Sequence, residues 1–296
     1  MRILITGGTG LLGKAIIEES GGKNEIAATY VGGYEMENSR EVNFHKLDLL
    51  DFSGNERLVS DFKPEIVIHT ASIGSPDYAE KYREKTWDVN VGGTKALLSI
   101  CERLGTKFIF ISSNGIYDGE NAPYEEMDEA RPVNYYGETK LAGENVVKES
   151  GHISAIVRPI LMYGWNHEHE RPNIVTIALA KLKKGEEIFA YDDVFSNALY
   201  VNSCARAILK IIEAEKYDVF NIAGAQRESI FGLLKRTAEV FGHDPALVKP
   251  VQRGFFNELV PRPTDTSYKT GKMEKVLGIK PLTLDGGLES MRRARK

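Results

Sequence analysis

The chain has 296 residues, 42% of them hydrophobic and 27% charged, with a formal net charge of −4. That is the balance of a folded globular protein with length for one large or two modest domains, and it excludes a disordered chain. The mild acidity argues against nonspecific nucleic-acid binding, which needs a basic stripe, and two cysteines, Cys101 and Cys204, make neither a disulfide framework nor a four-thiolate zinc site.

Residues 3–6 read as a strand and 11–20 as a helix ended by Gly21-Gly22. Further short apolar runs at 26–30, 65–69, 108–112 and 153–158 read as strands, with helical patterns at 78–104 and 135–150 between them. Strands alternating with helices predict βαβ units and a parallel sheet covered on both faces. After Pro159 the rhythm changes: a loop rich in His, Glu and Pro, a helix near 174–184, another near 203–215, and a strand at 219–222 that rejoins the sheet pattern. Residues 225–296 read as mostly helical, broken near Pro261 and Pro263. No apolar run approaches the ~20 residues of a membrane span, and residues 1–5 run into glycines without the apolar stretch of a secretory signal. No membrane association is expected, and the expected compartment is the cytoplasm.

Thr6-Gly7-Gly8-Thr9-Gly10-Leu11-Leu12-Gly13 follows the first strand and opens the first helix. It fits G-x-x-G-x-x-G: the glycines allow a tight turn, and backbone N–H groups at the helix start face a pyrophosphate that the helix dipole favours. The overlapping G-x-x-x-x-G-K of residues 8–14 begins a triphosphate loop, but that loop needs Ser or Thr next and Ala15 stands there. The expected fold is therefore α/β, a Rossmann-type doubly wound parallel sheet with a smaller mixed C-terminal substrate domain. Residues 1–163 form the dinucleotide-binding domain, with 198–224 returning to it, and residues 164–197 and 225–296 form the substrate domain. The expected cofactor is NADP or NAD. The second strand ends Tyr30-Val31-Gly32-Gly33, with no carboxylate before Glu35 to bond a ribose 2′-hydroxyl and no arginine directly following for a 2′-phosphate, so the pattern leans to NADP or dual use.

Tyr136-Gly137-Glu138-Thr139-Lys140 puts a phenol and an ammonium on one helix face. An adjacent ammonium stabilises a phenolate, so Tyr136 is expected to have a lowered pKa and to exchange a proton near neutrality. Ser113 follows a predicted strand at the sheet edge, where its hydroxyl can bond a carbonyl oxygen as charge develops. Tyr268 and Lys272 repeat the spacing, but nothing around them recommends a site.

These residues resemble the extended short-chain dehydrogenase/reductase family over most of the chain. The likeness is carried by residues 6–13, Asp48-Leu49, Asn90-Val91-Gly92-Gly93-Thr94, Ser112-Ser113, residues 136–140, and Arg158-Pro159 leading to Tyr163-Gly164. It implies that Gly7, Thr9, Gly10, Leu11, Leu12, Gly13 and Tyr30 hold the dinucleotide and that Asp48 and Leu49 hold its adenine. Thr70, Ala71 and Ser72 would line it, Asn90 would shape the central helix behind the site, and Arg158 and Pro159 would lie near the nicotinamide. Ser113, Tyr136 and Lys140 would be catalytic, with Lys140 also holding the ribose.

Within the family the chain is similar to the dTDP-4-dehydrorhamnose reductase branch, at residues 116–119, 123–126 and 132–144, at Asp77-Tyr78-Ala79-Glu80 and at Arg262-Pro263. That branch implies NAD(P)H-dependent reduction of the 4-keto group of a nucleotide-activated deoxysugar. Asn114, Asp77, Arg171 and Arg262 would then meet the substrate. Asn114 stands where the branch usually has aspartate, and Pro159-Ile160-Leu161 where it has Thr-Ser-Trp, which leaves the sugar open. Two alternatives share the fold: an epimerase or dehydratase that retains NAD, and a non-catalytic NADP-binding subunit resembling the β-subunit of methionine adenosyltransferase. A homodimer is expected from the family, through the helices near 78–104 and 135–150.

Other features read as structural. Of His167, Glu168, His169 and Glu170, the H-x-H pair makes a poor chelate on a loop without a third ligand of known position, so no metal is expected and the loop reads as solvated or substrate-facing. Cys101 and Cys204 read as buried, inert thiols, and Arg292, Arg293, Arg295 and Lys296 as a solvated helix end.

Overall fold

The computed structural model describes residues 1–294. Its centre is a sheet of seven parallel strands: β1 (Arg2–Thr6), β2 (Glu25–Tyr30), β3 (Val42–Lys46), β4 (Ile66–His69), β5 (Lys107–Ile111), β6 (Ser154–Pro159) and, after short strands β7 (Met162–Tyr163), β8 (Ile188–Tyr191), β9 (Phe195–Ser196) and β10 (Leu199–Tyr200), β11 (Val219–Ile222). The spatial order is β11-β6-β5-β4-β1-β2-β3. The central strands are buried almost throughout, because helices cover both faces; hence β1, β4 and β5 read as unbroken apolar runs. Alternate side chains feed two cores. Ile3, Ile5 and Ile109 pack beneath α1 (Leu11–Ser20) and α8 (Val201–Glu213). Leu4, Val67 and Phe108 pack on the opposite face beneath α2 (Phe52–Phe62), α5 (Thr94–Leu104) and α6 (Tyr135–Ser150).

Two elements of this half escape an apolar-run reading. The edge strand β3 carries Asn43, His45 and Lys46, and only Val42 is buried. Helix α2 is mostly polar and contains Gly54, whose N–H the N-capping Asp51 side chain holds at 2.9 Å. The helical pattern of 78–104 is also broken. It divides into α3 (Pro76–Lys81), α4 (Arg83–Trp87), a π-helical turn over Asp88–Gly93, and α5.

The C-terminal part builds a third core from α7 (Ile174–Leu182), α9 (Ile230–Val240) and α11 (Leu284–Arg293), with Val175, Leu233 and Leu288 inside. It is less helical than expected. Here β13 (Val248–Val251) pairs in parallel with β8, and β12 (Glu228–Ser229) pairs with β9. α10 (Gly271–Leu277) instead packs under the main sheet, beside β11. Tyr163 and Tyr200 also enter this core, so it reaches into segments that belong to the sheet in sequence.

Cys101 and Cys204 are buried and free, and burial pushes both thiols up to about 12. Arg292 and Arg293 are exposed in the last turn of α11, while Arg295 and Lys296 lie outside the described residues. No helix among the described residues is long and apolar enough to cross a membrane.

Candidate active site

The strand order reverses between β1 and β4, the switch point at which doubly wound sheets open a crevice beyond the strand ends. A cleft of about 610 Å³ lies there. Gly7, Thr9, Gly10, Leu11 and Leu12 form one wall. Gly7 takes a left-handed φ of 70°, and a Cβ on Gly13 would lie 2.3 Å from the Gly7 carbonyl oxygen, so the turn and α1 close on each other only with glycine at both places. Gly13 therefore acts behind the wall and not on it. The helix start at Gly10 has no side chain to cap it, which leaves the first amides of α1 for an anion. Lys14 is turned to the Trp165 carbonyl at 3.1 Å, unlike the lysine of a triphosphate loop.

Tyr30, Asp48 and Leu49 line one end of the cleft, and Thr70, Ala71 and Ser72 its floor. The first carboxylate beyond β2 does fold back here: Tyr30 donates to Glu35 at 3.1 Å, and Lys46 pairs with the same carboxylate at 2.8 Å.

The other end holds Ser113, Asn114, Tyr136 and Pro159. Asn134 caps α6 by accepting from the Gly137 N–H at 3.1 Å, which fixes the turn that presents Tyr136. The Ser113 hydroxyl lies beside the Tyr136 ring over Gly115, donates to the Asn114 side-chain oxygen at 3.4 Å and accepts from the Gly115 N–H at 3.1 Å. Asn90, inside the π-helical turn, ties the halves together. It accepts from the Ile73 N–H at 2.8 Å and donates to the Thr139 hydroxyl at 3.0 Å, linking the loop after β4 to α6 between Tyr136 and Lys140.

Lys140 is buried under the wall and donates to the Ile111 carbonyl at 2.6 Å. Burial lowers its ammonium to about 8, opposed by Glu144. The expected lowering of the Tyr136 phenol is not what the structure gives. Burial raises it, and the forces acting the other way are the Ser113 hydroxyl and the charge of Arg171.

Four further residues are outside the lining of the main cleft. Arg158 is one of them. Its side chain is buried and engaged with Glu144 at 2.7 Å, because strand alternation turns it to the sheet face beneath α6. Asp77 and Arg262 pair with each other at 2.8 Å. Arg171 lines a shallower groove with Ile73, Gly74, Ser75 and Tyr78, contiguous with the main cleft. Glu170, which the sequence offers only as part of a poor chelate, lines the cleft and accepts from Thr9 at 2.6 Å and from Tyr34 at 2.7 Å. His167 stacks on Tyr34 at 5.6 Å between ring centres, and His169 packs against the same ring, tilted, at 4.6 Å. Lys85 also reaches the cleft from α4, with no motif to announce it.

A glycine-wrapped helix start facing a Ser–Tyr pair across a switch-point crevice defines a dinucleotide-binding α/β protein of the short-chain dehydrogenase/reductase type. The match to the RmlD substrate binding domain model spans residues 1–295, and the chain belongs to that family. The methionine adenosyltransferase 2 subunit beta of Xenopus laevis is 30% identical over 93% of this chain and 82% of its own length. A probable low-salt glycan biosynthesis reductase of Haloferax volcanii is 26% identical over 99% of this chain and 98% of its own. The crystal structure of dTDP-4-dehydrorhamnose reductase from Bacillus anthracis, in complex with NADP, superposes with a TM-score of 0.84 at 26% identity, covering 99% of this chain and 98% of that one.

Proposed function

We propose that the protein is an NADPH- or NADH-dependent reductase of the 4-keto group of a nucleotide-activated deoxysugar. The observation that carries this is the Ser113–Tyr136 pair, which shares one cleft with a helix start suited to a pyrophosphate. The residues fit the dinucleotide: the amides at Gly10–Leu12 would hold its phosphates, Asp48 and Leu49 its adenine, and Pro159 would flank its nicotinamide. When bound, the reduced cofactor supplies a hydride. Ser113 positions the ketone oxygen, and Tyr136, beside Ser113 in the same cleft, gives it a proton. Lys140 keeps a positive charge behind Tyr136 as that proton leaves. Arg171, in the contiguous groove, would meet the phosphates of the sugar nucleotide. A homodimer through the helices of residues 78–104 and 135–150 is part of the proposal, on the family resemblance.

The likeness to methionine adenosyltransferase subunits favours a second reading, in which the cleft binds dinucleotide to regulate a partner enzyme. Oxidation of NADPH and NADH, followed in parallel with dTDP-, UDP- and GDP-linked 4-keto deoxysugars, separates the two. Turnover that is lost in Tyr136→Phe with cofactor binding intact supports the reductase; binding without turnover on any sugar supports the regulatory subunit.

A further inference from the structure

Glu144 lies one turn beyond Lys140 on α6 and is fully buried. Arg158, near the end of β6, grips both its oxygens, through Nε at 2.8 Å and an η nitrogen at 2.7 Å. Ser112 donates to the same carboxylate at 2.6 Å and Lys148 at 3.0 Å. The other Arg158 η nitrogen donates to the Tyr117 hydroxyl at 2.8 Å and to the Glu126 carbonyl at 3.0 Å. Desolvating such a pair often costs as much as its attraction returns, and apolar residues of equal volume hold a fold as well. The pair's place suggests what it does instead. Ser112 is the neighbour of Ser113, and Glu144 shares a helix face with Tyr136 and Lys140.

We propose that Glu144 is a positioning residue for the reaction: clamped by Arg158, it ties the Ser112–Ser113 strand end to α6 and supplies the counter-charge of the Lys140 ammonium. The inference rests on the reductase reading for its consequence, but not for its geometry. Among the described residues, no other group around Lys140 offers a negative charge. From β5 it meets the Ile111 carbonyl and, at 4.6 Å, the Phe110 ring. From β4 it faces His69, which burial and Lys140 itself hold neutral at about 3, between the Thr6 and Thr94 hydroxyls. On its own helix stands Tyr136, raised by burial. From the π-helical turn the neutral Asn90 reaches Thr139, and from α4 Arg83 faces Tyr135 and Glu138 on the outer side of α6. Arg158 on β6 and Lys148 on α6 bind Glu144, not Lys140. Burial has already brought Lys140 to about 8, so losing the one opposing carboxylate would leave it neutral at physiological pH.

The test uses the full chain and three proteins: wild type, Glu144→Gln, which keeps an acceptor for Ser112, and Glu144→Gln/Arg158→Met, which removes both charges should the single variant fail to fold. Lys140 is titrated directly by NMR of the labelled side chain, beside a thermal melt and the pH profile of kcat. The expected result is a lower Lys140 midpoint in Glu144→Gln with an equal shift of the alkaline limb, so that kcat falls about tenfold at pH 8 and recovers on acidification, and a smaller shift in the same direction in the double variant, where loss of the Arg158 cation partly offsets loss of the carboxylate. A lower melting temperature with the Lys140 midpoint and the limb unmoved overturns the proposal. If the midpoint moves while no protein, wild type included, turns over, Glu144 remains the counter-charge of Lys140, and its part in a reaction fails together with the reductase reading.

Discussion

Gly137 stands against Gly115 so closely that a Cβ on Gly137 would lie 2.1 Å from the Gly115 carbonyl oxygen. The contact seats the first turn of α6 on the turn after Ser113, and it brings the Tyr136 ring against Gly115. The partner is backbone, which cannot rotate away as a side chain would.

Gly137→Ala is therefore expected to push α6 from that turn and pull Tyr136 from Ser113. The cost in stability is about 1–3 kcal/mol, as for other overpacked sites. The larger effect falls on kcat, roughly a hundredfold for a displacement near 1 Å, with cofactor affinity little changed. Thermal melts and steady-state kinetics read the two separately.

Glu170 offers a carboxylate to Thr9, on the loop whose amides would hold the pyrophosphate under the proposed function. Two anions compete for that position. Glu170→Gln is expected to tighten NADPH and NADH binding several-fold, and Tyr34→Phe to do so less, since it removes only one of two bonds to Glu170. Titration calorimetry at fixed ionic strength measures both, and weaker binding in Glu170→Gln would show that the carboxylate grips the cofactor instead.

His69 is neutral in the folded protein, its pKa moved by burial from 6.5 to about 3. The unfolded chain thus binds a proton that the folded chain refuses. Its contribution to stability is full above 6.5 and is lost as pH falls from there towards 3, by about 1.4 kcal/mol per pH unit. His45 acts in the same direction through burial. Urea unfolding between about pH 5 and 6.5 should show this slope, and His69→Gln should reduce it by about one proton.

The sequence is most legible where one residue type satisfies one local demand. The strands buried on both faces announce themselves as apolar runs, and the glycine segment and the Tyr136–Lys140 spacing lead directly to the cleft. What stays hidden depends on partners far along the chain. β3 is half-exposed at the sheet edge and so carries no apolar run. Glu170 reaches Thr9 across 161 positions from a loop without a motif. Arg158 has a motif, but its direction follows from strand alternation and from the buried Glu144, which only the folded sheet brings to it. The Tyr136 phenol is raised, against the expectation from its helix face, because a shared face says nothing of how deeply the phenol is buried.

The measurement closest to the central claim is the fate of a label. Cofactor deuterated at the transferable nicotinamide position is incubated with a nucleotide-linked 4-keto deoxysugar, and the product is read by mass spectrometry and NMR. A Ser113–Tyr136 reductase predicts one deuterium on C4 of the product, formed with loss of one equivalent of reduced cofactor, and none in Tyr136→Phe. Deuterium left wholly on the cofactor, with wild type and Tyr136→Phe alike, would contradict it.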